Sequence, residues 1–194
     1  MGEAFTGVSW TWVLIRATGI TAWCILTAVV AWGLFAAARR AGGAAAPRAA
    51  ALHRRLVSLA LGLLLAHMSL LLIDTYEPFT LVQILVPFAA SWRTLAVALG
   101  ITAFWLTVPA WLLARLRGRR SRRWFRRAHL CAYAAWPLAT SHYVLAGTDA
   151  LTPWSLAILI GGTAAVVAAL LLRSAGRRGG ARLATVDTGP AGSA

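Results

Sequence analysis

The sequence predicts an all-α fold, a polytopic transmembrane bundle of about five spanning helices and one interfacial segment. Two observations predict it, the composition and the placement of charge. Of the 194 residues, 60% are hydrophobic, and the mean hydropathy is +0.72, whereas soluble domains use about 45–50% apolar residues. The charged residues are confined to short segments between long apolar runs. A lipid bilayer is therefore the expected environment.

Five runs without Asp, Glu, Lys or Arg approach the length of about 20 residues that a helix needs to cross the hydrocarbon core. These predicted spans, numbered one to five, are residues 17–38, 56–73, 94–114, 128–148 and 150–172. A sixth apolar stretch, 78–92, is too short to span and contains Pro87. We expect that stretch to be interfacial or re-entrant.

The orientation follows from the basic residues, which comprise 19 Arg and no Lys. Seventeen of the 19 Arg lie between spans one and two, between spans three and four, or after span five. The opposite ends of the spans carry the acidic residues Glu3, Asp74, Glu77 and Asp149. The positive-inside rule therefore predicts an N-terminus outside the cell and a C-terminus inside it.

The net charge of +14 bears on the partners of the chain. A soluble domain with that charge would raise the question of nucleic acid. Here the charge is confined to one face of a membrane protein, which favours topogenesis and contact with anionic lipid. We expect no nucleic-acid partner, and a dedicated protein-docking face is the alternative.

The domain organisation is simple. Residues 1–175 are expected to form one domain, because too few residues remain outside the spans for a second one. Residues 176–194 are Gly-rich and lack helical periodicity, so a disordered cytoplasmic tail is expected. Cys24 and Cys131 fall in different apolar runs, and neither a disulfide nor a thiolate metal site is predicted.

All four histidines belong to the helices of two predicted spans. His53 and His67 lie on the helix of span two, His53 just before the apolar run itself, and His129 and His142 lie on the helix of span four. Both helices run from the basic face to the acidic face. At 1.5 Å per residue, their 14- and 13-residue steps correspond to about 21 Å and about 19.5 Å. The sequence therefore predicts two cross-helix pairs, one at each level.

The angular positions fit span two better than span four. Fourteen residues return to within about 40° of the starting face of an ideal helix, so His53 and His67 share a neighbour. Thirteen residues leave His129 and His142 about 140° apart. Pro137 lies between them, and a proline kink could bring both rings to one side.

Paired imidazoles from facing helices are ligands for six-coordinate haem iron that transfers electrons. Two pairs about 20 Å apart, with no accompanying carboxylate or thiolate set, do not make a zinc site. We therefore expect two haem b groups, the inner iron held by His53 and His129 and the outer iron by His67 and His142. No CxxCH motif is present for covalent attachment. Helix–helix hydrogen bonding by the histidines is the alternative.

The histidine spacing resembles that of the ferric reductase-like transmembrane family, which includes the haem domains of NADPH oxidases and ferric reductases and the haem subunit of the bacterial methionine sulfoxide reductase system. The resemblance covers roughly residues 10–149. It includes the segments RATGITAW, HRRLVSLALGLLLAH, DTYEPF, LVPFAASWR and RRAHLCAYAAWPLATSHYVLAGTD. It implies a b-type cytochrome of the bacterial plasma membrane that acts as the electron-transfer subunit of an oxidoreductase.

The chain departs from the larger family members because it has no soluble α/β region and no strand followed by GxGxxG. We expect no FAD or NAD(P) site in it and no catalytic residue beyond the haem sites. A cytoplasmic flavoprotein reductase or a quinol would supply electrons to an external acceptor. Direct reduction of ferric chelates, oxygen or a quinone at the outer haem is a second redox hypothesis. A haem-free scaffold with an Arg-rich cytoplasmic docking face is the alternative from another class.

Three further residues are candidates for contact with haem. Arg16 and Arg93 lie at the outer level, where haem propionates would pair with a guanidinium group. Snorkelling to lipid phosphate is the alternative for both. Trp136 lies between the levels of His129 and His142 and could pack between the two haems, or contribute only to ordinary packing.

Overall fold

The computed structural model describes residues 10–38, 45–116 and 121–186, and within these ranges all regular structure is helical. The six helices, in chain order, are α1 (Trp10–Ala38), α2 (Ala45–Ile73), α3 (Leu81–Leu85), α4 (Thr94–Arg115), α5 (Ser121–Ala146) and α6 (Pro153–Val186). The predicted all-α class is confirmed for these residues. Glu3 lies outside the described residues, as do residues 187–194 of the predicted tail.

Four of the described helices, α1, α2, α4 and α6, are long and apolar enough to cross a membrane. The chain therefore has the character of a multi-pass membrane protein. Helix α5 is 26 residues long, but Arg and His side chains lower its mean hydropathy. Helix α3 has five residues and lies in the stretch that is too short to span.

Several helices extend beyond the apolar runs from which they were predicted. Helix α2 begins at Ala45 and α5 at Ser121, before the predicted starts at 56 and 128. Their extra turns carry exposed Arg side chains, which a helix tolerates once it has left the hydrocarbon layer. Helix α6 continues to Val186, whereas disorder was expected from 176.

The helices form a bundle in which α1 packs against α2, α5 and α6, and α4 packs against α5 and α2. Within the described ranges, α2 and α5 make no close backbone contact with each other. Both helices run in the same direction. We call the end of the bundle with Asp74, Glu77 and Asp149 the acidic end, and the opposite end, with the Arg residues of α2, α4 and α5, the basic end.

Two reciprocal hydrogen bonds join α1 to α5. The indole N–H of Trp23 donates to Oγ1 of Thr140 at 3.0 Å, and that of Trp136 donates to Oγ1 of Thr27 at 2.9 Å. On each helix the donor and the acceptor are four residues apart, so they lie on one face. Because α1 and α5 are antiparallel, each tryptophan meets the threonine of the other helix. The four side chains fix the register of α5 against α1.

Candidate functional site: two facing histidine pairs

The structure brings the four histidines together as two cross-helix pairs. His53 of α2 faces His129 of α5 with ring centres 6.2 Å apart, near the basic end. His67 faces His142 with ring centres 6.5 Å apart, near the acidic end. The ring planes are inclined by 70° and 84°, respectively. Both pairs bridge the gap between two helices whose backbones do not touch.

The ring separations match the spacing of two imidazoles on one metal ion. An imidazole–metal bond is about 2.0 Å long and the ring centre lies about 1.1 Å beyond the nitrogen, so two trans imidazoles have centres about 6.2 Å apart. Direct hydrogen bonding between the rings is not recorded for either pair. The ring-centre separations of both pairs are therefore compatible with two imidazoles on one metal ion.

At the acidic end, backbone carbonyls hold both rings in one tautomer. Nδ1 of His67 lies 2.9 Å from the carbonyl oxygen of Ile15, and Nδ1 of His142 lies 2.7 Å from that of Ala96. A carbonyl oxygen can only accept, so Nδ1 carries the proton in each ring. Nε2 is then left with a free lone pair. This arrangement is typical of metal-binding histidines, whose second nitrogen donates to a carbonyl or carboxylate.

Glycines allow the rings to lie against the neighbouring helices. A Cβ atom at Gly100 would lie 2.8 Å from Nδ1 of His142, and one at Gly19 would lie 3.1 Å from the ring of His67. At Gly33 the nearest His53 ring atom would be 3.4 Å away. Helix α1 thus supports both histidines of α2, and α4 supports His142. Larger side chains at Gly19 and Gly100 would push the rings out of their places.

A cavity of about 270 Å³ opens between α1, α2, α4 and α5 at the acidic end. His67 and His142 line it, together with Gly19 and Gly100. Its walls are mostly apolar and aromatic, with polar groups toward the mouth. The acidic-end pair therefore projects into a space that is suited to a flat, largely apolar group with a polar edge.

The basic-end pair has a different environment. The ring of His129 stacks on Phe125 at 5.3 Å and 24°, and Tyr133 meets it edge-on at 5.6 Å. Nδ1 of His53 is buried and has no hydrogen-bond partner, although the carbonyl of Val29 lies near the ring. Aromatic packing, more than backbone hydrogen bonding, holds the rings at this level.

Both arginine candidates lie at the acidic end, and both have protein partners. Arg16 forms an ion pair with Asp149 at 2.5 Å, a hydrogen bond to Thr148 and a cation–π contact with Trp12. Nε of Arg16 is buried and has no partner. Arg93 precedes α4 in a left-handed conformation, with φ 39°, and donates to the carbonyl oxygen of Leu145 at 2.6 Å. Arg16 also lines the cavity.

Trp136 points toward α1 and α6. Its N–H donates to Thr27, and its ring packs against two apolar clusters, one around Trp23 and Tyr143 and one around Leu34. The structure therefore places Trp136 between helices, at a level between the two histidine pairs. Its recorded contacts belong to helix packing.

Sequence reasoning missed the glycines and the carbonyls that support the rings, and it missed Asp149 as the partner of Arg16. One signal could have found the α1 glycines, because Gly19 and Gly33 are separated by the same 14 residues as His53 and His67. Two antiparallel helices with equal repeats place each glycine opposite one histidine. The partner of Arg16 depends on the turn after α5 and carries no comparable pattern.

The donor set limits the chemistry of the site. Within the described ranges, no three His, Cys, Asp or Glu side chains converge to hold a metal ion. Each pair brings two imidazoles together, and a metal ion bound there would need its other ligands from outside the described residues. No protein-family model matches the chain, and it has no match among the curated proteins or the solved structures.

Proposed function

We propose that this chain is a membrane-embedded b-type cytochrome that carries electrons across the bilayer through two bis-histidine haems. The observation that carries the proposal is the pair of imidazole separations, 6.2 and 6.5 Å, between two helices that do not touch. The free Nε2 lone pairs, the glycines against the rings and the apolar cavity are further support. The cavity and the glycines support the outer haem, and the separation of the His53 and His129 rings supports the inner one.

In this proposal His53 and His129 hold the inner haem, and His67 and His142 hold the outer one. When bound, haem supplies an iron centre that accepts and releases single electrons. The Ile15 carbonyl keeps the proton on Nδ1 of its histidine, which orients the ring and increases its basicity as a ligand. Gly100 has no side chain, so the ring of His142 can lie close against α4. The apolar walls exclude water from the outer site.

Arg16 and Arg93 both lie at the acidic end of the bundle, and this position indicates their roles. Arg16 has a buried, unpartnered Nε and lines the cavity, so it is the first candidate to pair with a haem propionate while retaining Asp149. Arg93 lies at the same end and is the second candidate. Trp136 contributes to the packing between the two levels.

The membrane topology is part of the proposal. We propose that α5 is the fifth span, because it is long enough and packs against the spanning candidates α1 and α4. The basic end would face the cytoplasm, with the N-terminus outside and the C-terminus inside a bacterial plasma membrane. The inner pair then lies near the cytoplasm and the outer pair near the external surface.

The electron donor and acceptor lie outside this chain. We propose that a cytoplasmic flavoprotein reductase or a quinol delivers electrons at the inner haem, and that an external acceptor takes them from the outer haem. The histidine pattern supports a member of the ferric reductase-like group that acts as the haem subunit of a reductase system.

Haem content of purified protein tests the proposal. The protein is expressed with added haem precursor, purified in mild detergent, and checked for folding by size-exclusion chromatography. A Soret band and about two acid-acetone-extractable haems per chain by pyridine haemochrome are expected. Folded protein without a Soret band would refute the cytochrome and favour the haem-free scaffold with an Arg-rich docking face.

Transport across the bilayer has a separate test. Proteoliposomes with ferricyanide trapped inside are exposed to dithionite outside. Reduction of the trapped ferricyanide should require the full chain and should fail in a His53→Ala/His67→Ala variant. Equal rates for the two proteins would contradict the transmembrane route.

A further inference from the structure

The first turns of α5 carry a cluster of exposed positive charge. Arg123, Arg126 and Arg127 are exposed, and with Phe125 and Leu130 they line a shallow depression on the surface. The lining residues recur at three- and four-residue intervals, so most of them share one helix face. The positive charge therefore comes from side chains on one side of the helix, and not from the backbone N–H groups at its N-terminus.

No carboxylate in the described ranges balances this charge. Helix α5 contains no Asp or Glu. The described acidic residues Asp74, Glu77 and Asp149 all lie at the opposite end of the bundle. Three guanidinium groups on one face therefore attract an anion from outside the described chain, and a phosphate offers oxygens in the geometry that guanidinium forks bind best.

Apolar side chains surround and continue this basic face. Trp124 is 60% exposed, and the guanidinium of Arg127 lies 5.3 Å from the centre of its ring. Leu130 is 67% exposed, and the exposed surface continues along α5 through Ala134. Arginine beside tryptophan above an apolar surface is typical of the membrane interface. The combination matches an anionic headgroup above an acyl chain.

We propose that this face of α5 binds an anionic phospholipid, with its phosphate among Arg123, Arg126 and Arg127 and an acyl chain along Leu130 and Ala134. Inorganic phosphate would use the guanidinium groups alone and leave the apolar surface uncovered. The proposal does not rest on the haem assignment, because the arginines and Leu130 carry it, although Phe125 in the same depression stacks on His129.

Native mass spectrometry of the full chain in detergent, titrated with phosphatidylglycerol, provides the first test. Saturable binding is expected, with phosphatidylcholine binding at least about tenfold more weakly. Replacing Arg123, Arg126 and Arg127 with Gln should weaken phosphatidylglycerol binding at least about tenfold. The matched control replaces three exposed arginines of α2 with Gln, namely Arg48, Arg54 and Arg55. They lie at the same end of the bundle, and their replacement removes the same charge. This control should weaken phosphatidylglycerol binding less than about threefold.

Three outcomes would overturn the proposal. Equal losses in the two variants would indicate a diffuse charge effect. If the α5 variant bound phosphatidylglycerol with undiminished affinity, this face would instead be assigned to an acidic protein partner. Competition by inorganic phosphate at equal concentration would indicate a simple anion site.

A measurement on the unaltered protein complements the variants, since it holds even if the triple variant does not fold. Photoactivatable phosphatidylglycerol with the reactive group in its acyl chain is cross-linked to the purified chain and mapped by peptide mass spectrometry. The main adduct should lie between Leu130 and Ala134. Adducts confined to α2 or α6 would contradict the site.

Discussion

A Cβ atom at Gly100 would lie only 2.8 Å from Nδ1 of His142, so α4 supports this ring at a distance that no other residue type permits. The same Nδ1 donates to the carbonyl oxygen of Ala96 on the adjacent turn of α4. Ring position and tautomer are therefore set together by one helix. This contact makes the acidic-end pair sensitive to a single methyl group.

Gly100→Ala should displace the His142 ring and break its bond to Ala96. We expect a loss of about 1–3 kcal/mol in stability from overpacking, and the loss or shift of the outer haem signal alone. Redox titration and thermal unfolding of the purified variant measure the two effects. Gly161→Ala is the control, because a Cβ there meets nothing within 4 Å. An unchanged outer signal in Gly100→Ala would mean that this contact does not hold the ring.

The Arg16–Asp149 ion pair should couple α1 to the turn after α5. Arg16→Gln and Asp149→Asn are each expected to lower stability by about 1 kcal/mol, since each leaves a partly buried charge without its partner. The double variant should lose less than the sum of the two. Denaturation in detergent across the four proteins measures the coupling. Strict additivity would show that the pair contributes no mutual stabilisation.

The reciprocal Trp–Thr bonds predict a stability effect without a change at the histidines. Trp136→Phe should lower stability by about 0.6–2 kcal/mol by removing the bond to Thr27. Thr27→Val should add little once Trp136 is Phe. Neither variant should change haem content by more than about a tenth. A large loss of haem in Trp136→Phe would instead support packing of this ring against the cofactor.

Much of the fold could be predicted from the sequence, because a helix that crosses a bilayer must be long and apolar. Helices α1, α2 and α4 contain their predicted apolar runs, and α6 covers the fifth run from Pro153 onward, since an uncharged stretch of that length has few alternatives to a helix in a bilayer. The ends of the helices could not be predicted as well from the sequence. The segments of α2 and α5 that precede the apolar runs carry exposed Arg side chains, and hydropathy does not mark such segments as helical.

The histidines show which features of the site could be predicted from the sequence and which could not. The depths of His129 and His142 follow from helix rise, which is constant, and both rings meet their predicted partners. For their angular mismatch on an ideal helix, a kink or local unwinding at Pro137 was one way to bring both rings to one side. Helix α5 is continuous through Pro137. The contacts of Arg16 and Trp136 depend on tertiary packing, which no local pattern encodes.

Topology can be tested with single cysteines in a chain whose Cys24 and Cys131 are replaced by Ser. Tyr76→Cys, at an exposed position of the acidic end, should react with a membrane-impermeant maleimide in intact cells. Leu116→Cys, at an exposed position of the basic end, should react only after the cells are opened. Labelling of Leu116→Cys from outside would reverse the proposed orientation.

The central claim is that His53 pairs with His129 on one iron and His67 with His142 on another, and redox titration of the four single His→Ala variants tests it most directly. Loss of one axial imidazole leaves the iron with an open position and a different midpoint potential. The account predicts that His53→Ala and His129→Ala alter one component of the titration, while His67→Ala and His142→Ala alter the other. If the two α2 variants altered one component and the two α5 variants the other, the cross-helix ligation and the transmembrane route would both be wrong.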